Sequence, residues 1–329
     1  MQKIHGIHHV TLMTSDAIRI YEFFTYTLGM RLVKKTVNQD DINTYHLFFA
    51  DDKGHAGTDV TFFDFLGNAK ASKGTDEIAK TGLRVSSDEA IDYWEKRFNH
   101  LNIKHEGITH VFGRKAIFFE DFDHQEYFLI SDQNLAGIGA GEPWHKGPIP
   151  DEFAIIGLGP VYFRVSDDRR FTTVMTNHLG FKLIGEEDHL SLYEVAPGGN
   201  GAAIIIEALK GIPQGRLGDG AIHHVAFRVD DEQDISDWIT YLNQQGIRHS
   251  GHVDRFYFKS LYTRFYPNML FEFATDGPGF INDEETYETL GESLALPPLL
   301  KDNRMMIEAH VRMFDTKRSD KSFVKEYLK

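Results

Sequence analysis

One short pattern recurs four times along this chain, and that repetition narrows the folds open to it more than any other feature. Each copy reads as a strand, an amphipathic helix closed by a turn, and then further strands. The first opens with HHVTLMTSD at 8–16, passes through the helix AIRIYEFFTYTLGM, and continues with strands near RLVKKTV, TYHLFFAD and DVTFFDF. The others open with GLRVSSD at 82–88, GPVYFRVSD at 159–167 and HHVAFRVDD at 223–231. The third helix, FTTVMTNHLGF, repeats the L-G pair that ends the first. Four βαβββ modules of this kind predict an α+β fold in which pairs of modules form two half-barrel cups with helices outside. Along the chain the modules group as 1–136 (modules one and two) and 153–280 (modules three and four). A Gly- and Pro-bearing segment at 137–152 reads as the linker. A tail at 281–329 holds a LALPPLL turn and a polar helix DNRMMIEAHVRMF.

Composition excludes several kinds of function. A net charge of −14 argues against nucleic acid or an anionic membrane as partner. With no cysteine, thiolate metal sites, disulfides and cysteine nucleophiles are all ruled out. The N-terminus lacks the apolar stretch of a secretory signal, and no run of residues approaches a membrane span. These features predict a soluble cytoplasmic protein, and its 26 Phe and 13 Tyr suit strand-rich cores and a pocket for a flat organic ligand.

The chemistry concentrates in His-His pairs that open copies one and four, His8-His9 and His223-His224. Strand alternation puts Val10 and Leu12, and likewise Val225, Phe227 and Val229, on the face packed under the helices. His9 and His224 then point into the cup, with His8 and His223 on the far face. In the last strand Phe271 and Phe273 take the helix side, which turns Glu272 inward. A lone strand histidine is usually structural. Two pairs at equivalent repeat positions, joined by an inward carboxylate, instead predict a two-His-one-carboxylate metal site whose usual ion is non-haem Fe(II). His46, His55 and the remaining histidines lack this setting and read as surface or loop residues. Glu207 in copy three is a carboxylate of the right kind, but Pro160 stands where its histidine would be. A single ion held by His9, His224 and Glu272 requires copies one and four to share a cup.

The run Y-x-F-F-x-x-x-L-G-M-R-L after the opening strand resembles the vicinal oxygen chelate superfamily, the glyoxalase/bleomycin-resistance/extradiol-dioxygenase group, over nearly all the chain to about residue 280. HHVTL, HHVAF, DRFYF, SLYTRFYPNMLFEFATDGPGF and the LPP-containing tail are similar to hydroquinone ring-cleaving dioxygenases within it. That resemblance implies Fe(II), with Mn(II) as the alternative, and an extradiol-type insertion of O2 beside a hydroxyl-bearing ring carbon of a hydroquinone or catechol. It also implies Tyr262 and Arg255 as acid/base and substrate-orienting groups, with His8 and His223 behind the ligands, a placement that conflicts with their alternation. Two other readings stand beside it. One is a glyoxalase-like isomerase or lyase, which would want a second carboxylate such as Asp59. The other is a metal-free protein that binds an aromatic drug, for which the three ligands would have no purpose. Exposed strand edges and the tail offer surfaces for a homo-oligomer.

Overall fold

The structure, a computed structural model, describes residues 3–281 and 285–328. Each copy begins alike because a capping side chain follows its first strand. Asp16 accepts the backbone N–H groups of Ile18 and Arg19, Ser87 that of Ala90, Asp167 that of Arg170, and Asp231 those of Gln233 and Asp234. At the other end the chain turns left-handed. Gly29 takes φ 67°, and a Cβ there would lie 2.2 Å from the Ile149 side chain, so only glycine fits.

Copy one comprises β1 (Ile7–Met13), α1 (Ala17–Glu22), β2 (Arg31–Asn38), β3 (Asp41–Ala50) and β4 (Asp59–Phe63). Copy two comprises β5 (Glu77–Val85), α2 (Asp88–Leu101), β6 (His105–Val111), β7 (Arg114–Glu120) and β8 (Glu126–Ser131). Copy three runs through β9 (Ile155–Val165), α3 (Asp168–Asn177), β10 (Lys182–Glu187), β11 (Leu190–Glu194) and β12 (Ala203–Ala208). Copy four is β13 (Ile222–Val229), α4 (Glu232–Gln244), β14 (His249–Asp254), β15 (Phe258–Tyr266) and β16 (Met269–Pro278). The helix that follows β1 is shorter than its sequence run, because at Phe23–Thr27 it loosens into a π-helical turn.

These strands make two eight-stranded sheets, ordered β14-β15-β16-β13-β1-β4-β3-β2 and β10-β11-β12-β9-β5-β8-β7-β6. Copies one and four share one cup; copies two and three share the other. The segments 1–136 and 153–280 are therefore not the units of the sheets, since each sheet takes one module from either side of 137–152. The join is antiparallel in both cases, β1 with β13 and β5 with β9. Nor is 137–152 a loose tether, because its Trp144 and Ile149 are buried.

The helices and the convex faces of both sheets enclose one core. Phe24 packs on Phe49 and Phe62 of the first sheet and reaches Tyr127 of the second. Phe163 of β9 stacks on Phe271 of β16 with 5.8 Å between centroids, and Trp238 stacks on Phe273 at 4.1 Å. The tail straps the β2 side of the first cup. Lys34 meets Glu285 at 2.7 Å with both side chains buried, and Arg318 Nη2 donates to the carbonyls of Leu32 and Leu290 at 2.8 Å each. The polar helix expected over 302–314 is only the short α5 (Arg304–His310), preceded by a 3-10 turn at Pro298–Asn303. No described helix is long and apolar enough to cross a membrane.

Candidate metal centre and substrate cavity

Strand pairing draws three distant residues together. His224 lies across from Thr11 of β1, His9 across from Ala226, and Ala226 across from Glu272 of β16. Phe271 and Phe273 enter the core as alternation requires, so Glu272 turns into the cup. Glu272 Oε2 comes to 3.0 Å from His9 Nε2 and 2.9 Å from His224 Nε2, and the two nitrogens are 3.3 Å apart. All three residues are buried, and among the described residues Oε2 has no hydrogen-bond partner beyond these two imidazole contacts. Ligands about 2.1 Å from a divalent ion and occupying one face of an octahedron would be spaced about 3.0 Å apart, so the residues present fit such an ion. Among the described residues no other cluster has this composition and spacing.

The neighbouring histidines are where strand alternation misleads. The β1–β13 register slips between Ile7 and His9 and again between Thr11 and Leu12, leaving His8 and His223 as extra residues at two bulges. Each is thereby swung off the far face onto its neighbour. His8 Nδ1 is 2.9 Å from His9 Nδ1, and His223 Nδ1 is 2.8 Å from His224 Nδ1. His8 Nε2 is also 3.0 Å from the Thr275 carbonyl, which can only accept. Burial, with His9 adding to it, lowers His8 to about 3, so its ring is neutral and carries one proton, on Nε2. His8 Nδ1 must then accept from His9 Nδ1–H, which leaves His9 Nε2 as the ring nitrogen that can give its lone pair to an ion.

Glu272 is held from the other side as well. Ser260 Oγ donates to Oε1 at 2.5 Å. Burial works against the carboxylate charge, but His9 and His224 outweigh it and hold the group well below the usual carboxylate range. Ser260 escaped the sequence reading, although it shares a face of β15 with Tyr262.

Beside the three ligands opens a cavity of about 430 Å³, walled by Phe48, Phe63, Phe65, Tyr257, Phe258 and other side chains. Tyr262 lies opposite Glu272 in the β15–β16 ladder, with its ring perpendicular to His224 at 5.8 Å. Arg255 belongs to the turn after β14 rather than to a strand. Its Nε donates to Tyr262 Oη at 3.2 Å, and its Nη2 meets Asp40 at 2.8 Å. Burial and the charge of Glu272 push the Tyr262 hydroxyl up against the opposing pull of Arg255, so it stays protonated.

His46 corrects the sequence reading outright. It lines this cavity, its ring between Phe48 at 4.0 Å and Phe63 at 4.4 Å, and its Nε2 lies 3.0 Å from Thr61 Oγ1. Burial, aided by His9, His224 and Arg255, holds it well below the ordinary histidine value. A signal for it was present: His46 lies two residues before Phe48 on β3 and so shares its inward face.

Asp59 does not join the ligand set. It is buried, both its oxygens lack a hydrogen-bond partner among the described residues, and burial raises it well above the usual carboxylate range. The second cup has none of the three residues at the corresponding positions. Lys80 pairs with Tyr162 as His9 does with Ala226, Ile205 pairs with Tyr162 as Glu272 does with Ala226, and Pro160 replaces His224. Glu207 falls two residues beyond the ligand position and binds Arg164 Nε at 2.6 Å.

A model of the Glyoxalase/Bleomycin resistance protein/Dioxygenase superfamily matches residues 6–126 and 157–279. The chain is 40% identical over 323 residues to "Putative ring-cleaving dioxygenase MhqA" of Bacillus subtilis (strain 168), covering 94% of this chain and 99% of the relative. It is 28% identical over 307 residues to the chlorohydroquinone/hydroquinone 1,2-dioxygenase of Sphingobium indicum, covering 91% and 94%. Among solved structures, a crystal structure titled as a putative dioxygenase of Bacillus subtilis aligns with TM-score 0.87 and 32% identity over 96% of this chain and 99% of that one.

Proposed function

The chain belongs to the Glyoxalase/Bleomycin resistance protein/Dioxygenase superfamily, and on that footing we propose that it is a ring-cleaving dioxygenase acting on a hydroquinone- or catechol-type aromatic. The observation that carries this reading is the convergence of His9 Nε2, His224 Nε2 and Glu272 Oε2 at the wall of an aromatic cavity. These residues would hold Fe(II), with Mn(II) as the alternative, and the ion would supply a Lewis acid and an electron relay between a phenolate oxygen and O2. Cleavage falls between a hydroxyl-bearing ring carbon and a neighbour without a hydroxyl, which in a catechol is the extradiol position, and gives an open-chain acid or acyl product. A chain without cysteine suits the reducing cytoplasm, where we place it.

The protein's own groups divide the remaining work. His8 fixes the tautomer of His9 through the Thr275 carbonyl and ends in backbone. For His224 Nε2 to present a lone pair, its Nδ1–H donates to His223 Nδ1. Because burial and His224 lower His223 to about 3, that ring is neutral and its one proton is then on Nε2, at the cavity wall. His223 thus offers an N–H to a substrate oxygen, whereas His8 is sealed behind the site. Tyr262, kept protonated and fixed by Arg255, is placed to give a proton to an oxygen that gains charge. The surrounding rings exclude water, which strengthens each of these contacts.

The test is a screen of anaerobically Fe(II)-loaded protein against hydroquinones, catechols and methylglyoxal–thiol adducts. Ring absorbance lost with O2 uptake is the expected result for the first two classes. Isomerisation of the adduct without O2 would overturn the reading.

A further inference from the structure

The cavity lining also contains a histidine with one ring nitrogen committed and one uncommitted. His46 Nε2 is tied to Thr61 Oγ1, itself tied to Thr11 Oγ1 at 2.8 Å, while Phe48 and Phe63 hold the ring between them. A half-turn of the ring would break the bond to Thr61. Its Nδ1 makes no hydrogen bond to any described residue and is not among the buried unpartnered atoms, so the side chain's exposed edge opens on the cavity. Several other polar groups of that wall are engaged through at least one atom. Arg255 serves Tyr262 and Asp40, Gln39 Nε2 donates to the Arg255 carbonyl, and Asn38 Oδ1 accepts from Asp40 N–H. The Thr36 hydroxyl, beside His46 in the ladder, is closed off from the cavity.

We propose that His46 Nδ1 binds the second ring hydroxyl of the substrate, the one remote from His9, His224 and Glu272, and so selects hydroquinone-type rings. β3 is two strands from β1 in the sheet, with β4 between them. Across β4, His9 pairs with Asp59 and His46 with Phe63, so at strand spacing the two backbones lie about 16 Å apart, a gap that the two side chains and one aromatic ring with an oxygen at each end can span. A neutral imidazole offers either a donor or an acceptor at Nδ1 according to its tautomer, and a phenolic hydroxyl can answer both. Without that hydroxyl, a polar atom on an apolar wall is left unpaired, which is how such a site rejects the analogue.

The assignment rests on the ring-cleavage reading for its substrate but is tested without turnover. Calorimetry on Zn(II)-loaded, redox-inert protein measures affinity for hydroquinone and for 4-methylphenol, which replaces one hydroxyl by a methyl group. The wild type should prefer hydroquinone by about tenfold, the effect of one net hydrogen bond. His46→Phe, which suits the two flanking Phe rings, should abolish the preference by weakening hydroquinone alone, and His46→Gln should restore part of it. A wild type with no preference overturns the proposal, and so does a His46→Phe protein of wild-type melting temperature that keeps it. If His46→Phe melts early, His46→Gln and His46→Leu decide by the same ratio, and equal preferences in the two overturn it. Wild-type protein that shows the preference yet cleaves no ring refutes the ring-cleavage reading alone.

Discussion

Glu272 is sealed from water, and among the described residues one of its oxygens meets two imidazoles and no other hydrogen-bond partner. A carboxylate in that position is costly unless a cation joins it. Ser260 Oγ fixes the other oxygen, so Ser260→Ala should lower metal affinity by about 10–100-fold, the usual effect of losing a group that orients a ligand. Direct metal titration measures this, and unchanged affinity would deny Ser260 that role. A second prediction concerns Asp64, which burial pushes up to about 6 while Tyr45 N–H donates to it at 2.6 Å. Between its ordinary value near 3.8 and 6, the folded chain keeps a proton that the unfolded chain has released. Stability should therefore fall as pH climbs through that window and level off above it. Asp64→Asn keeps the acceptor and removes the titration, so wild type should lose ground against it from about pH 4 to 6 in urea unfolding. Parallel curves would contradict the prediction. The convergence of His9, His224 and Glu272 was legible because alternation is reliable where one strand face carries Val, Phe and Leu. His46 and Ser260 were missed because neither belongs to a pair repeated at an equivalent place in another copy, as His9 and His224 do.

At the level of the strands, two bulges matter more than any helix. Alternation assumes an unbroken pleat, so His8 and His223 read as facing away, and only the β1–β13 register reveals that each is an inserted residue lying against its neighbour. A bulge has no composition of its own, which is why it could not be read from HHV. The tail was equally opaque. Its residues look polar and irregular, yet Glu285 neutralises Lys34 inside the wall of the first cup, with Tyr257 stacked nearby. Glu285→Gln leaves a buried cation with a weaker partner and should cost about 3–5 kcal/mol, as broken buried pairs do. Chemical denaturation measures this, and a loss below about 1 kcal/mol would show that the strap is loosely held.

For the whole molecule, the consequence of cross-pairing is that neither half of the chain owns a sheet. The two-cup plan was legible from four repeats, and the pairing of copies one and four followed only from asking which histidines a single ion could reach. Grouping by position along the chain pointed the other way, because sequence distance carries no information on which module edges meet. Fragments 1–152 and 153–329 should each be largely unfolded alone, since each would expose the β1–β13 or β5–β9 join and half of the common core. Mixed, they should regain strand signal and one metal ion per pair. A fragment that folds alone and binds metal would refute the shared cup.

The central claim, that this cup cleaves aromatic rings with O2, is tested most directly by oxygen uptake. Fe(II)-loaded protein given limiting hydroquinone should consume one O2 per ring, with no peroxide detectable by added catalase, and His9→Ala should consume none. No uptake by the wild type, or uptake that catalase partly returns as O2, would contradict the claim.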